Sequence, residues 1–353
     1  MANNTEETKL PQYSYRRLAH ADSLRILCVK PSQDVAAALD CELIHESRSE
    51  IMTDFGLDRN YEAVSYTWGY TWSPSHFSEK LFCDGMTAFL SITPVVDMML
   101  RHLRKKYRTR RLWIDAVCLN QNDNQEKEVQ VQCMDQIYHE AKKVHVWLGS
   151  KPENAATQMF AFIRASIIVS EQNQNKPLAV HDPSVLSGSI PSKEIQAVLQ
   201  LPWFRRRWVL QEVANGHDIT IHCGHAKMPW LSFQAGLNLL HENGILNRIN
   251  LSKMALDALA VVTAISEKKN SILDLVWNHH ATECSDLRDR LFALIGMAND
   301  LNFAQSNLVQ FTSTYQDDWL TVYCRFASFC IQKGDSALIE RHRLAFGSLY
   351  SSD

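Results

Sequence analysis

The chain of 353 residues is 46% hydrophobic and 21% charged, which is enough apolar material for at least one large buried core. Its formal net charge of -3 excludes a strong global attraction to nucleic acid or to anionic membranes. No apolar run is long enough for a membrane span, and the polar first twelve residues lack the apolar core of a signal peptide, so we expect a cytoplasmic protein. Nine cysteines without a CxxC pair favour reduced thiols over disulfides.

The N-terminal part of the chain predicts a β-hairpin followed by a third strand. The runs "SLRILCV" and "ALDCELI" alternate apolar with other residues, and "YEAVSYTWG", which ends at Gly69, is rich in aromatic and β-branched residues. The next run, "LSITPVVDMMLRHLRKKY", predicts a helix with Thr93 as its N-cap and Pro94 at its first position. We expect the basic residues from Arg101 to Arg111 to form a solvated helix end, with a nucleic-acid patch as the less favoured alternative.

The clearest unit is a strand "RLWIDAV", a loop "CLNQND", a helix "NQEKEVQVQCMDQIYHEAKK" and a strand "VHVWLG". This order predicts a βαβ crossover, which places its two strands parallel in one sheet. Asp123 and Glu126 have the spacing of a capping box at the start of the helix. Four residues at four-residue steps are expected to form its buried face: Val129, Cys133, Ile137 and Ala141.

The loop after "RLWID" is a candidate ligand site, because it follows the carboxyl end of a predicted parallel strand. Its polar residues are Asp115, Asn120 and Gln121. Cys118 could be a nucleophile, but a packed residue at the strand end is the favoured interpretation. The sequence contains no glycine-rich dinucleotide or P-loop motif, and "HCGH" has too few ligands for zinc, so we expect neither a cofactor nor a metal.

The second half of the chain reads as mostly helical. An apolar helix near residues 153–170, a polar loop rich in proline and glycine, a helix over "WFRRRWVLQEV" that ends at Gly216, and a strand "DITIHC" come before helices from about residue 229 onward. Together the patterns predict an α/β fold, with a mainly parallel central sheet flanked by helices, an N-terminal β-hairpin and a helical C-terminal region.

The stretch "WFRRRWVLQEV" contains Trp208 and Glu212 at a WxxxE spacing, which on a helix puts the indole beside the carboxylate. A carboxylate there suits cleavage of a ribosyl bond, because positive charge develops on the sugar. Nicotinamide leaves such a bond as a neutral group and needs no general acid. In a chain with nine tryptophans the spacing alone is weak evidence. The alternative is a core tryptophan with Glu212 reaching one of the neighbouring arginines.

Four stretches, in order, resemble the fungal heterokaryon-incompatibility (HET) domain: "YEAVSYTWG", "LWIDAVCLNQNDNQEKEVQVQCMDQIYHEAKKVHVWLG", "WFRRRWVLQEV" and "DLRDRLFALIGMA". The resemblance covers residues 13–225 and extends faintly to the last stretch, where Leu287 stands in place of a frequent proline. It implies a disordered N-terminus over residues 1–12, a HET domain over 13–225 and a helical region over 226–353.

HET domains act in fungal non-self recognition, where they trigger programmed cell death, and are thought to be distant relatives of TIR domains. The resemblance therefore implies a TIR- or flavodoxin-like core and a cell-death effector in heterokaryon incompatibility or innate immunity. By likeness to NAD-cleaving TIR domains, Glu212 would cleave the N-glycosidic bond of NAD or a related nucleotide upon self-association, with NAD as substrate and not as cofactor. The same likeness implies these substrate-binding residues: Ser65, Tyr66, Trp68, Gly69, Asp115, Asn120 and Gln121. From its place beside Glu212, Trp208 would exclude water or stack on a ring, and Arg205 or Arg206 could meet a phosphate.

Two other classes of function stay open. One is a non-enzymatic death-signalling module that binds a protein partner, and such a partner could also trigger the enzyme. The other, ranked last, is a DNA-binding regulator that uses the cluster from Arg101 to Arg111. The substitution Glu212→Gln separates the first two, because a module that only binds should tolerate the loss of charge.

Overall fold

The computed structural model describes residues 10–53, 60–68, 77–172, 190–265, 270–301 and 314–334. The chain divides into two compact units. The first unit contains residues 1–131, 140–153 and 217–227, and the second contains residues 132–139, 154–216 and 228–353.

The described residues form nine strands: β1 (Ser23–Val29), β2 (Cys41–Ser47), β3 (Glu62–Tyr66), β4 (Glu79–Cys83), β5 (Ala88–Ile92), β6 (Arg110–Trp113), β7 (Lys143–Trp147), β8 (Ile219–Cys223) and β9 (Ala226–Pro229). Seven of them form one sheet in the order β2-β1-β6-β3-β7-β8-β9, and β4 pairs with β5 separately.

The helices of the first half are α1 (Arg48–Thr53), α2 (Pro94–Leu103), α3 (Asp115–Cys118), α4 (Asn124–Gln132), α5 (Met134–Glu140) and α6 (Glu153–Gln172). Those of the second half are α7 (Ser192–Leu199), α8 (Val209–Ala214), α9 (Trp230–Glu242), α10 (Lys253–Ala264), α11 (Ile272–Asn278), α12 (Asp289–Ile295) and α13 (Trp319–Lys333). Within the parts of the chain that the structure describes, no helix is long and apolar enough to cross a membrane.

The predicted N-terminal hairpin and the mainly parallel sheet are both confirmed. β1 pairs antiparallel with β2, with Ile26 opposite Ile44, and antiparallel with β6 on its other side. β3 runs parallel to both β6 and β7, and β7 runs parallel to β8. β3 and β7 are buried on both faces beyond their first residues, although each includes a buried polar side chain, Ser65 in β3 and His145 in β7. The fold is α/β, with a helical C-terminal region after β9.

The predicted βαβ unit is present, but its helix is broken. β6 and β7 are parallel in one sheet with β3 between them. The connecting helix is divided at Cys133 into α4 and α5, so the expected continuous buried face does not form. Val129 is 38% exposed, while Ile137 and Ala141 are buried as expected and Gln130 is the buried residue of α4. The prediction of one apolar stripe was therefore wrong for the first half of this helix.

The hairpin of β4 and β5 was not predicted from the sequence. Its turn has three consecutive residues with positive φ: Asp84 at 51°, Gly85 at 68° and Met86 at 66°. Asp-Gly between two apolar runs is a known hairpin signal, so "LFCDGMTAFL" contained the evidence. The helix after it begins as predicted, with Pro94 in the first turn and Thr93 Oγ1 accepting a hydrogen bond from the Val96 N–H at 3.3 Å.

The second unit has an aromatic core. Trp203 packs edge to face against Phe204 and Trp230, and Phe233 packs edge to face against Phe160. The predicted helix near residues 153–170 is α6, and the predicted strand "DITIHC" is β8 in the first unit. The proline- and glycine-rich loop predicted before the second unit's α7 lies outside the described residues, apart from its last part.

Candidate functional site

In the first unit, the carboxyl end of β3 presents two stacked aromatic rings. Ser65 and Tyr66 are the last two residues of β3 and are buried. The Trp68 ring stacks on the Tyr66 ring, with 6.5 Å between centroids and 12° between planes. The loops that follow parallel strands meet at one edge of the sheet, which is where open α/β folds bind ligands. The structure therefore places these three predicted residues at such an edge.

Asp115 joins this group through Trp68. It is the first residue of α3, and its Oδ2 accepts a hydrogen bond from Trp68 Nε1 at 2.8 Å. Its Oδ1 accepts from the Ala116 N–H at 2.7 Å, and its backbone oxygen accepts from Gln121 Nε2 at 2.9 Å. The structure brings Trp68, Asp115 and Gln121 together, and their nucleotide contacts stay a prediction.

Asn120, in the loop that follows α3, makes two hydrogen bonds. Its N–H donates to Glu126 Oε1 at 2.8 Å, and its side-chain oxygen accepts from the Asn122 N–H at 3.2 Å. Glu126 also forms an ion pair with Arg25, which is only 1% exposed and donates to the Cys118 carbonyl oxygen at 3.1 Å. The expected capping box is therefore half formed, because the Glu126 carboxylate turns to the loop and to Arg25. Gly69 lies outside the described residues.

In the second unit, the segment from Trp203 to Val213 is not one helix, contrary to our expectation. It begins as a 3-10 helix, Pro202–Arg205, and Arg206 then has an extended backbone with φ -67° and ψ 134°. The Arg207 N–H donates to the Glu283 carbonyl oxygen at 2.8 Å, which draws the chain out of the helical path. The α-helix starts only at Val209.

Glu212 lies in α8, a short helix whose residues are all buried. The residue is 1% exposed, and Nη1 of Arg206 lies 3.9 Å from its Oε1. The carboxylate is therefore held in a low-dielectric environment with a guanidinium as a near neighbour. A carboxylate placed in this way can stabilise positive charge that develops on a bound sugar.

Trp208 stands immediately before α8, and the WxxxE spacing closes the first turn of the helix. The Glu212 N–H donates to the Trp208 carbonyl oxygen at 3.2 Å. The indole nitrogen Nε1 donates to Oδ2 of Asp289 at 3.0 Å. Asp289 was not among the site residues predicted from the sequence, although it lies in the stretch "DLRDRLFALIGMA". Burial raises the pKa of Asp289 to about 6, although hydrogen bonds from Tyr315 and Trp208 lower it.

The three arginines of the segment differ in environment. Arg205 pairs with Glu283 at 3.2 Å. Arg207 is 1% exposed, and burial lowers the pKa of its guanidinium to about 10. It donates to Thr282 Oγ1 at 2.9 Å and to the carbonyl oxygens of residues 279 and 290. Arg205 and Arg206 thus lie near carboxylates, and Arg207 holds the segment in place.

The basic cluster from Arg101 to Arg111 is not simply a solvated helix end. Arg104 is 9% exposed and binds four backbone oxygens of residues 34–38. Arg110 is buried against Glu62, and Arg111 pairs with Glu46 at 2.5 Å. Arg104 thus holds the loop that precedes β2, while Arg110 and Arg111 pair with glutamates of β3 and β2.

Cys118 is buried, and burial raises the pKa of its thiol to about 12, so it is the packed residue that we favoured.

His222 of "HCGH" contacts a histidine on the neighbouring strand β7. Nε2 of His222 lies 3.0 Å from Nδ1 of His145, and Nε2 of His145 lies 2.7 Å from Oε2 of Glu62. Among the described residues, no three histidine, cysteine, aspartate or glutamate side chains are grouped so as to hold a metal.

Comparison with known proteins identifies a family. Residues 61–212 match the family described as heterokaryon incompatibility protein (HET). Heterokaryon incompatibility protein 6, OR allele, of Neurospora crassa is 29% identical over 196 residues, which cover 47% of this chain and 29% of that protein. The chain thus spans less than a third of the length of this relative. No solved structure matches the chain significantly. Residues 61–212 of this chain are therefore similar to the HET domain.

Proposed function

We propose that this protein is a cell-death effector of fungal heterokaryon incompatibility or innate immunity, and that it cleaves the N-glycosidic bond of NAD or a related nucleotide. Glu212 is the catalytic carboxylate. The observation that carries the proposal is the burial of the Glu212 carboxylate one helical turn after Trp208, whereas the Arg206 guanidinium 3.9 Å away also fits the alternative of a structural ion pair. Two further findings support it: the family match includes Glu212, and the Neurospora relative is named for heterokaryon incompatibility.

The reaction needs little beyond a well-placed negative charge. The bond between C1′ of the ribose and the nicotinamide nitrogen breaks, and its electron pair leaves with nicotinamide, which becomes neutral. The ribose gains positive charge, which the Glu212 carboxylate stabilises more strongly when water is excluded. Water then adds to C1′ and releases a proton.

Other residues have proposed binding roles. Arg206 is cationic and 22% exposed at its side chain, so it can meet a phosphate of the nucleotide. Within the first unit by itself, the stacked rings of Tyr66 and Trp68 and the carboxylate of Asp115 offer a surface for a base and for sugar hydroxyls. Self-association is part of the proposal, so specific activity should rise with protein concentration.

The test measures nicotinamide released from NAD and from related nucleotides by the purified full chain, dilute and then concentrated with a crowding agent. We expect release by the wild type and a loss of at least ~100-fold in Glu212→Gln, since this substitution keeps the size of the side chain and removes its charge. Glu242→Gln is the matched control, because Glu242 is an exposed glutamate at the end of α9 in the same unit. If the wild type kills cells but cleaves no nucleotide, the proposal is refuted.

A binding module is the second candidate. Two apolar residues at the start of α13 favour it: Trp319 is 48% exposed and Leu320 is 56% exposed, as in partner-binding surfaces. A module of this kind would kill cells as effectively with Glu212→Gln as without it. Loss of killing in a Trp319→Ala, Leu320→Ala double variant that cleaves NAD normally would support the module instead.

A further inference from the structure

Asp289 is a half-buried carboxylate at the start of α12 whose two oxygens have donors from two different segments. Oδ2 accepts from Trp208 Nε1 at 3.0 Å, and Oδ1 accepts from the Tyr315 hydroxyl at 2.5 Å. Residues 208 and 289 are 81 positions apart, so the first bond connects two distant parts of the chain. The carboxylate thus joins the residue before α8 to the segment before α13.

Tyr315 is itself held in place. Its ring packs edge to face against Phe292, with 5.1 Å between centroids, and the Arg288 guanidinium lies 5.0 Å above it. Arg288 also donates to the Tyr315 carbonyl oxygen at 2.7 Å and pairs with Asp286 at 2.6 Å. Because Tyr315 has little freedom to move, its bond to Asp289 fixes the carboxylate in one orientation.

Trp208 is the point through which this arrangement reaches Glu212. The Trp208 carbonyl oxygen accepts the Glu212 N–H at 3.2 Å, so any movement of Trp208 changes the first turn of α8. Trp208 makes no side-chain capping hydrogen bond to this turn, whose start is also held by the hydrogen bond from the Arg207 N–H to the Glu283 carbonyl oxygen. The hydrogen bond from the indole to Asp289 is therefore a restraint on the position of the Glu212 carboxylate.

We propose that Asp289 is a positioning residue for Glu212: it holds the Trp208 indole and so couples the catalytic turn to the Tyr315 segment. This inference rests on the proposed function of Glu212. An ionised carboxylate accepts both hydrogen bonds, whereas a protonated one must use an oxygen as donor and loses part of this capacity. The restraint therefore weakens when Asp289 takes up a proton.

The groups around Asp289 set the pH at which this happens. Burial is the largest effect and raises the pKa of Asp289 to about 6. The hydrogen bonds from Tyr315 and Trp208 act in the opposite direction, the Asp286 charge raises the pKa and the Arg288 charge lowers it. The Cys284 thiol also faces Asp289. Protonation should accordingly occur within one unit of pH 6.

The first arm of the test needs no substrate. The full chain is labelled with 5-fluorotryptophan, and the fluorine resonance that disappears in Trp208→Phe is assigned to Trp208. We expect this resonance to titrate with a midpoint near pH 6 in the wild type and in Asp257→Asn, a matched control within α10, and to stay constant in Asp289→Asn. A resonance that is constant in the wild type, or that titrates unchanged in Asp289→Asn, would overturn the inference.

If Asp289→Asn does not fold, Tyr315→Phe gives the same information. This variant removes a hydrogen bond that lowers the Asp289 pKa, so the midpoint of the Trp208 resonance should rise. A midpoint equal to that of the wild type would contradict the inference.

The second arm measures nicotinamide release against pH. We expect kcat of the wild type to fall about tenfold between pH 7 and pH 5, and this fall to be absent in Asp289→Asn, with KM changed less than about threefold. Identical pH profiles in the two proteins would overturn the inference. If the wild type releases no nicotinamide at any pH, the proposed function fails, and the fluorine titration alone decides whether Asp289 holds Trp208.

Discussion

The three consecutive arginines of the second unit show how differently neighbouring side chains can contribute. Arg205 forms an ion pair with Glu283, whose side chain is 63% exposed. Arg206 faces the candidate catalytic carboxylate. Arg207 is buried, and its donors are used by backbone oxygens and by Thr282. Exposed ion pairs contribute little to stability, whereas a buried group whose partners lose their hydrogen bonds costs much more.

We therefore expect Arg207→Ala to lower the free energy of unfolding by about 3 kcal/mol, because three acceptors, two of them buried, lose their donor and a cavity forms. Arg205→Ala should lower it by less than about 1 kcal/mol. Urea denaturation of the full chain, followed by circular dichroism, measures both. Equal effects of the two substitutions would show that Arg207 does not hold the segment.

At the residue scale, the sequence indicated candidate site residues but not the residues that contact them in the fold. The spacing of Trp208 and Glu212 is local, and the hydrogen bond between their backbones follows from it. The bond from Trp208 to Asp289 crosses 81 positions of the chain, and no periodicity connects two such residues. The pKa of Asp289 depends on the groups that surround it in the folded chain, so this pKa could not be predicted from the sequence either.

Three adjacent strands, β3, β7 and β8, carry a chain of hydrogen-bonded side chains. Although burial raises the pKa of Glu62, hydrogen bonding from His145 and the Arg110 charge lower it to about 2. We infer that the ionised carboxylate accepts a hydrogen bond from His145 Nε2–H, and that His145 Nδ1 accepts one from His222. Burial lowers the pKa of His145, and burial together with the neighbouring His145 and Arg110 lowers the pKa of His222 to about 3.

This chain predicts a dependence of stability on pH. The unfolded protein takes up a proton on each histidine near pH 6.5, whereas the folded protein resists protonation until a lower pH. The free energy of unfolding should be highest above pH 6.5 and fall below it, by about 1.4 kcal/mol per pH unit for each histidine that stays neutral. Denaturation midpoints at several pH values measure this. His222→Gln should make the decrease shallower, and an unchanged slope would contradict the assignment.

Helices α6 and α9 approach each other closely at Gly236. A Cβ at this position would collide with Ile163 Cγ2 of α6. We expect Gly236→Ala to destabilise the protein by about 1–3 kcal/mol, although alanine favours helix formation by about 1 kcal/mol. Ile163→Ala removes the colliding methyl group, so the double variant should lose less than the sum of the two single losses. Additive losses in thermal denaturation would argue against this close contact.

Elements with strong local signals were predicted well. α2 begins where Thr93 and Pro94 indicate, because capping depends on residues close in sequence. The break between α4 and α5 was missed, since the apolar spacing continues through Cys133. In the structure, Val129 is exposed and Gln130 takes the buried position. A sequence pattern alone does not reveal which face a neighbouring element covers.

At the scale of the whole molecule, the family match extends across both compact units. Residues 61–212 contain β3 and the Asp115 loop of the first unit and α8 of the second. The boundaries predicted for the domain, 13–225, and for the helical region, 226–353, stay predictions. The order of motifs along the chain predicted the family and the sheet, because both follow from local patterns. The division into units depends on long-range packing, which those patterns do not contain.

Measuring NAD in fungal cells that are induced to express the full chain tests the proposed role of Glu212 most directly. With the wild type, we predict that intracellular NAD falls before viability is lost. With Glu212→Gln, expressed to the same level, both should stay near the values of cells that do not express the protein, while Glu242→Gln should behave as the wild type. Cell death with NAD unchanged, or equal killing by Glu212→Gln, would contradict the claim that Glu212 kills by cleaving NAD.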